Sequence, residues 1–376
     1  GSINLSRFVK DGFTPEASID WDQLAESSET LVRFLDNVVT WNEDLNALPK
    51  QRQAASETRR LGLGVMGIAD MLNQLGVAYD SEQGTMMIEK VMEYITNASY
   101  QASTFIAKEK GASSIFDEKS YMQCPFVKEA LSEQTHNMIR KNGLRNIAIM
   151  SIAPTGSISN IVLGYKSEEK NYIGVSGGVE PIFSTFYTRR SESFGNKMFK
   201  VFHSTIQAYI DKMGIQEDVD KAEDVDEVLP EFLTRTAHKI DSVKRVGVQG
   251  VIQRYIDHSI SSTINLPEDV EPETISDIYI KAWKNKLKGV TIYRDGSRFP
   301  ILSVENKMTE FQEMKNKSFS IMQENGETID MAGDDIFKRP DGKLTTMYHH
   351  LKKMKTESED ESTTTETVAT TEEVKV

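Results

Sequence analysis

Arg145-Asn146-Ile147-Ala148-Ile149-Met150-Ser151-Ile152-Ala153-Pro154-Thr155-Gly156-Ser157-Ile158-Ser159 carries a short apolar run straight into a hydroxyl-rich turn. Residues 147–152 are strand-like and short enough for a buried barrel strand, although periodicity alone also allows a buried helical segment. The turn that follows can open a helix, and that combination is the architecture of a phosphate cradle. Backbone N–H groups at a helix start have no intrahelical partner and sit at the positive end of the helix dipole, so an anion is stabilised there. Thr155, Ser157 and Ser159 can add side-chain donors, and Gly156 lets a ligand approach the backbone closely. Taken alone, the segment reads more readily as an ordinary N-cap turn, and it is the context that favours the cradle.

Working outward, amphipathic helices flank this strand. Asp20 with Gln23 in the capping-box position opens a helix whose stripe is Leu24, Leu31, Leu35 and Val38. Asp80, answered by Gln83, caps a longer one with Ile88, Val91, Ile95, Ala98, Ala102 and Phe105 on its core face, ending at Gly111. A further stripe, Phe199, Phe202, Ile206, Tyr209, Ile210 and Met213, stops at Gly214. Residues 216–231 are acidic and polar, which suggests a surface connection before a helical run around Val248, Ile252, Tyr255 and Ile256. Pro272 fits a first helical turn, with Ile275, Ile278, Tyr279, Ala282 and Trp283 facing inward and Gly289 as the stop. Val290-Thr291-Ile292-Tyr293 is then a strand closing in the turn Arg294-Asp295-Gly296-Ser297. Strands separated by such helices imply an α/β layer structure with mainly parallel strands.

The chain of 376 residues is long enough for a substantial core. Its formal net charge of −13 argues against nonspecific duplex binding, so no direct nucleic-acid binding is expected. Much of that excess belongs to residues 356–376, where seven acids stand against one lysine and Thr, Glu and Ser dominate. Such a tail offers too little apolar surface to order, and disorder is expected there. The pattern already weakens beyond about residue 305. No run approaches the ~18–20 apolar residues that span a bilayer, so no membrane association is expected and the chain reads as soluble. It opens on Gly rather than Met, as a processed product, a tagged chain or a piece of something longer would.

Other motifs invite misreading. Gly62-Leu63-Gly64-Val65-Met66-Gly67 satisfies the dinucleotide fingerprint G-x-G-x-x-G, yet Ser56-Glu57-Thr58-Arg59-Arg60 before it is too charged for the buried strand that fingerprint must follow. Close packing through glycines explains it better. None of His136, His203, His238, His258, His349 and His350 stands at a recognisable metal-ligand spacing. The lone Cys124 allows neither an intrachain disulfide nor a redox pair, which fits a reducing cytoplasm.

Together, several segments resemble the large catalytic subunit of ribonucleotide reductase. Gly1-Ser2-Ile3-Asn4-Leu5-Ser6 is similar to the continuation of that family's Cys-Asn-Leu-Gly-Ser-Ile-Asn-Leu segment. Arg60 through Asp70 resembles its glycine-containing helix start, and Ala153-Pro154-Thr155-Gly156-Ser157-Ile158-Ser159 its substrate-phosphate loop. Gly177-Gly178-Val179-Glu180-Pro181-Ile182-Phe183, Asp257 through Pro267, and Gly289 through Arg298 are further matches. The ordered matches span roughly residues 1–300. The combination of the phosphate loop with Ile292-Tyr293-Arg294-Asp295-Gly296-Ser297-Arg298 looks most like the adenosylcobalamin-dependent class II branch, with class I left open.

The resemblance implies an α/β fold: the C-terminal part of the reductase's ten-stranded α/β barrel over residues 1–305, a weakly patterned extension over 306–355 and a disordered acidic tail over 356–376. It implies that Thr155, Gly156, Ser157, Ile158 and Ser159 hold the substrate phosphates, while Ser2, Gly177, Gly178, Glu180, Pro181 and Tyr293 shape the pocket. The family's radical cysteine, flanked as Asn-x-Cys-x-Glu, and its reducing cysteine pair have no counterpart here. No catalytic residue or metal ligand is therefore assigned to this chain, which should be inactive alone. The implied partners are an N-terminal part of the reductase, a ribonucleotide substrate, a thioredoxin-type reductant and a second copy of the complete subunit. The implied cofactor is adenosylcobalamin. The competing expectation is a catalytically inactive binding or regulatory module associated with an intact reductase.

Overall fold

Short strands with apolar residues on both faces favour parallel pairing under a cover of helices, and the central ladder of this chain has that form. The computed structural model describes residues 1–191, 197–297, 309–322, 328–339, 341–361 and 374–375. The strand Ser2–Asn4 pairs in parallel with Gly64–Met66, Ser2 standing opposite Gly64 and Asn4 opposite Met66. Leu63 bridges in parallel to Met150, flanked by hydrogen bonds from Leu61 N–H to Ala148 O (2.9 Å) and from Ser151 N–H to Leu63 O (2.8 Å). Ile152 bridges in parallel to Ile260, and Thr291 N–H donates to Ser262 O at 3.1 Å. Residues 147–152, expected as a strand, are thus an extended segment bridged on both sides at Met150 and Ile152 rather than a continuous strand. Ile149, Met150 and Ile152 are almost fully buried.

Of the glycines of the decoy fingerprint, Gly64 opens the strand Gly64–Met66, Gly62 precedes it and Gly67 follows it. A Cβ on Gly64 would stand 2.4 Å from Ser151 O, so only glycine admits this strand spacing. Gly67, with φ +74°, turns the chain into the helix Ile68–Gln74.

Several helical expectations shift in detail. Asp20 does cap the helix Trp21–Asn42, accepting from Gln23 N–H. Its buried face is Leu24, Ser28, Val32 and Asp36, and Val38 is exposed. The reason is electrostatic: Asp36 turns inward to meet Arg59. The helix Glu82–Lys110 is capped by Ser81, not Asp80, because Asp80 is engaged in a two-pronged ion pair with Arg235. Ile88, Val91, Ile95, Ala98 and Ala102 face the core as expected, but Ile106 replaces Phe105, which is exposed. Phe199 and Phe202 belong to a strand, Lys197–Phe202, paired antiparallel with Phe186–Ser191; the helix begins only at Ser204. Residues 216–231 carry the short helix Gln216–Lys221 and the 3-10 turn Val225–Glu227, with a further short helix, Glu231–Thr234, opening at their end, and bury Val219, Val225 and Leu229. The helix Pro272–Lys284 buries Ile278 and Ala282 while Tyr279 and Trp283 are exposed.

Contacts divide the chain into two units, one of residues 1–264 with 282–291 and the other of 265–281 with 292–376. The second contains the helix Glu310–Met314, opened by a reciprocal Thr309–Gln312 capping box, the hairpin of Ile336–Lys338 with Leu344–Thr346, and the helix Met347–Glu361. Phe311 and Tyr348 pack there edge to face, 5.2 Å between ring centres. Arg298, and the run of the acidic tail from 362 to 373, lie outside the described residues. Among the described residues no helix is long and apolar enough to cross a membrane.

Candidate functional site

The extended segment 147–152 delivers the chain to Ala153, and the turn beyond it is tightly built. Thr155 has φ +54°, a left-handed conformation that costs a β-branched residue about 1–3 kcal/mol. Two bonds hold it there: Gly178 N–H donates to Thr155 Oγ1 (2.9 Å), and Ser159 N–H to Thr155 O (2.9 Å). The helix expected after Gly156 is only a three-residue 3-10 turn, Ile158–Asn160. A macrodipole therefore has little to contribute. What the turn offers an anion is local: the N–H groups of Gly156 and Ser157 make no backbone hydrogen bond among the described residues. Gly156, Ser157 and Ile158 are exposed, and a Cβ on Gly156 would meet nothing within 4 Å. A left-handed residue near a right-handed one, here Thr155 and Ser157, is the kind of turn that directs N–H groups into an anion-binding concavity.

The hydroxyls separate into two kinds. Thr155 and Ser159 are buried and structural, whereas Ser157 is exposed with its side chain making no capping bond. Of the expected phosphate residues, Gly156, Ser157 and Ile158 therefore form the accessible face, and Thr155 and Ser159 form its foundation.

A second segment, 175–181, braces that foundation. Val175 N–H donates to Ser159 O at 2.9 Å. A Cβ on Gly177 would lie 2.6 Å from Pro154 O, and one on Gly178, with φ +47°, 2.8 Å from Ala153 O. The family-like Gly177-Gly178 pair is thus required by close packing against the turn. Glu180 and Pro181 face away from it: Glu180 accepts from Thr263 N–H (2.8 Å) and from the buried Arg245 (2.9 Å), while Pro181 is buried. Arg245 also donates to Ser262 Oγ at 2.7 Å. Tyr79 donates to Val179 O, and burial pushes its hydroxyl up to about 12. Ser2 sits half-buried on the strand beside Gly64, and Tyr293 on the strand Thr291–Arg294 of the second unit.

Sequence reasoning missed the polar centre behind this segment. Asp70, fully buried, accepts from Ser176 N–H (2.7 Å), Ser176 Oγ (2.7 Å), Thr205 Oγ1 (2.5 Å) and His203 Nε2 (2.8 Å). Burial opposes its ionisation, yet His203 and these hydrogen bonds outweigh it and hold the carboxyl below the usual aspartate range. Asp70 and His203 lie 133 residues apart, so no local spacing announces them.

Residues 1–293 match the profile of the ribonucleotide reductase barrel domain. The vitamin B12-dependent ribonucleoside-diphosphate reductase of Mycobacterium tuberculosis (strain CDC 1551 / Oshkosh) is 31% identical over 312 residues, covering 79% of this chain and 39% of the relative. That of Thermoplasma acidophilum is 33% identical over 313 residues, covering 79% of this chain and 35% of the relative. Among solved structures, the Actinobacillus ureae class Id ribonucleotide reductase alpha subunit superposes with a TM-score of 0.56 at 22% identity, over 78% of this chain and 49% of that one. The chain thus spans well under half the length of the curated relatives it matches.

Proposed function

The chain belongs to the ribonucleotide reductase family through its barrel domain, and from that premise we propose that it is the C-terminal part of a catalytic subunit that reduces ribonucleotides to deoxyribonucleotides. Its own task in this reading is to hold the substrate's phosphates. The observation that carries this is the exposed turn at the end of the extended segment 147–152, where among the described residues the N–H groups of Gly156 and Ser157 make no backbone hydrogen bond. Backbone donors fixed in advance bind a phosphate without reorganising, and they orient the ribose relative to the reacting groups. Ser157 adds a hydroxyl donor. Gly177 and Gly178 support the turn from behind, with Ser2, Glu180 and Pro181 as pocket-shaping residues of the same unit; Tyr293, also expected to shape the pocket, belongs to the second unit.

The substrate proposed is a ribonucleoside diphosphate, the class named for the Mycobacterium and Thermoplasma relatives. Those relatives are named as vitamin B12-dependent, and we extend that dependence, as adenosylcobalamin, to the complete enzyme. The described residues of this chain do not form a recognisable seat for it. The cavity of about 620 Å³ beside Ser2–Asn4, lined by Ile3, Asn4, Arg7, Phe8 and residues of the helix Trp21–Asn42, presents neither imidazole nor thiol. No residue here is assigned to the cofactor and no step is routed through it. An N-terminal part carrying the radical and redox cysteines, a thioredoxin-type reductant, dimerisation of the complete subunit and a cytoplasmic site of action belong to the same proposal.

Reconstitution tests it. The chain is mixed with the N-terminal part of a B12-dependent relative, adenosylcobalamin, a dithiol and a ribonucleoside diphosphate, and deoxyribonucleotide is measured. Turnover is expected from the mixture and not from the chain alone. Turnover by the chain alone would overturn the reading, and a stable but inactive complex would favour the alternative of a non-catalytic binding or regulatory module.

A further inference from the structure

We propose that Asp70 is a positioning residue of the phosphate turn, acting through Ser176 and Gly178 on the left-handed conformation of Thr155. The inference rests on the phosphate reading of that turn and deepens it. Its argument is a continuous series of short contacts. Asp70 sits in the first turn of the helix Ile68–Gln74, which Gly67 anchors, and Gly67 N–H donates to Ser176 O at 2.8 Å. Asp70 takes both the N–H and the hydroxyl of the same serine. Ser176 is thereby fixed through its N–H, its carbonyl and its side chain at once.

Two residues later, Gly178 N–H holds Thr155 Oγ1. Between them Gly177 packs so closely on Pro154 O that the segment cannot slide without displacing the turn. A shift of Ser176 is therefore transmitted to Thr155, and from Thr155 to the N–H groups of Gly156 and Ser157. His203 and Thr205, from the other side, keep Asp70 from turning away. A buried carboxylate with four donors is more than is needed to fill a core position, and its placement behind a strained turn is where rigidity serves binding.

The test uses the full chain and inorganic pyrophosphate as the probe, with affinity read by calorimetry and amide protection by hydrogen exchange. Asp70→Asn keeps the shape of the side chain but removes its charge, and should weaken pyrophosphate binding about tenfold or more while Gly178 N–H loses protection. Ser176→Ala removes only the hydroxyl bond, should act in the same direction by a smaller factor, and decides the matter if Asp70→Asn does not fold. A merely structural role would lower protection throughout, including Leu63 and Ser151 in the strand ladder; positioning leaves those unchanged.

Ser157→Asp separates the two claims. If the wild-type chain fails to bind pyrophosphate, or Ser157→Asp binds as tightly as wild type, the phosphate reading falls and the inference with it. If Ser157→Asp loses binding but a folded Asp70→Asn, or Ser176→Ala in its place, binds normally with Gly178 still protected, the inference alone is overturned.

Discussion

At the start of the paired strands Arg59 has φ +48°, and beyond their far end Thr155 has φ +54°. Both are non-glycine residues in a conformation that favours glycine, but their surroundings differ. Arg59 is 3% exposed and spends its guanidinium on Asp36 Oδ1 (2.8 Å), Asp36 O (2.8 Å), Thr40 Oγ1 (2.6 Å) and Glu43 Oε1 (3.1 Å). Its own carbonyl accepts from Asn146 Nδ2, which also reaches Asp36. That end of the ladder is closed on itself. Thr155 is held by two bonds, and among the described residues the N–H groups of the exposed Gly156 and Ser157 make no backbone hydrogen bond. One left-handed residue rivets helix to strand; the other presents backbone N–H groups to solvent. In parallel α/β folds the carboxyl ends of the strands are where ligands bind and the amino ends are where stability is invested, and the proposed phosphate turn follows that division.

The comparison breaks most visibly at the closed end. Arg59→Ala strips the buried Asp36 of its nearest ion partner, leaving Arg145 Nε at 3.5 Å, and should cost about 3 kcal/mol in urea unfolding. A loss under about 1 kcal/mol, typical of an exposed pair, would mean the cluster is no rivet. At the open end Thr155→Val is close to isosteric but removes the acceptor of Gly178 N–H, and should cost about 1–3 kcal/mol. Glycine at the same position would relieve the strain and lose the bond together, so valine is the cleaner probe.

A smaller effect sharpens the picture through pH. The folded Asp70 titrates below its ordinary value of 3.8, so its contribution is complete above that value and is lost as pH falls through the lower, folded one. The stability gap between wild type and Asp70→Asn should therefore be widest near pH 6 and narrow towards about pH 3. A gap independent of pH would show that Asp70 is not held as a carboxylate.

What was legible in the sequence was local. The extended, bridged character of 147–152 and its hydroxyl-rich turn, the Asp20 cap, the stop at Gly111 and the helix beginning at Pro272 follow from period, caps and breakers within a few residues. The family-like segments placed Gly177 and Gly178 near the turn, and the close approaches to Pro154 and Ala153 give the physical reason. What stayed hidden depends on partners distant in the chain. Phe199 and Phe202 keep a helical spacing, yet pairing with Phe186–Ser191 makes them strand. Asp80 has the composition of a cap, but Arg235, 155 residues away, claims it. The dependence of Asp70 on His203, and of Glu180 on Arg245 and Thr263, is likewise set by tertiary packing. The turn proposed to hold phosphate was expected to draw on a helix dipole; only a 3-10 turn follows it, so in the proposed reading an anion would meet individual N–H groups instead.

The central claim is that one end of this ladder is built to bind phosphate and the other is not. Amide resonances of the full chain, followed while a ribonucleoside diphosphate is added, test it directly. The account predicts saturable shifts at Gly156, Ser157 and Ile158, with Arg59, Arg60 and Asn146 unmoved. Shifts centred on the Arg59 end, or saturable binding that leaves Gly156 and Ser157 unmoved, would contradict it.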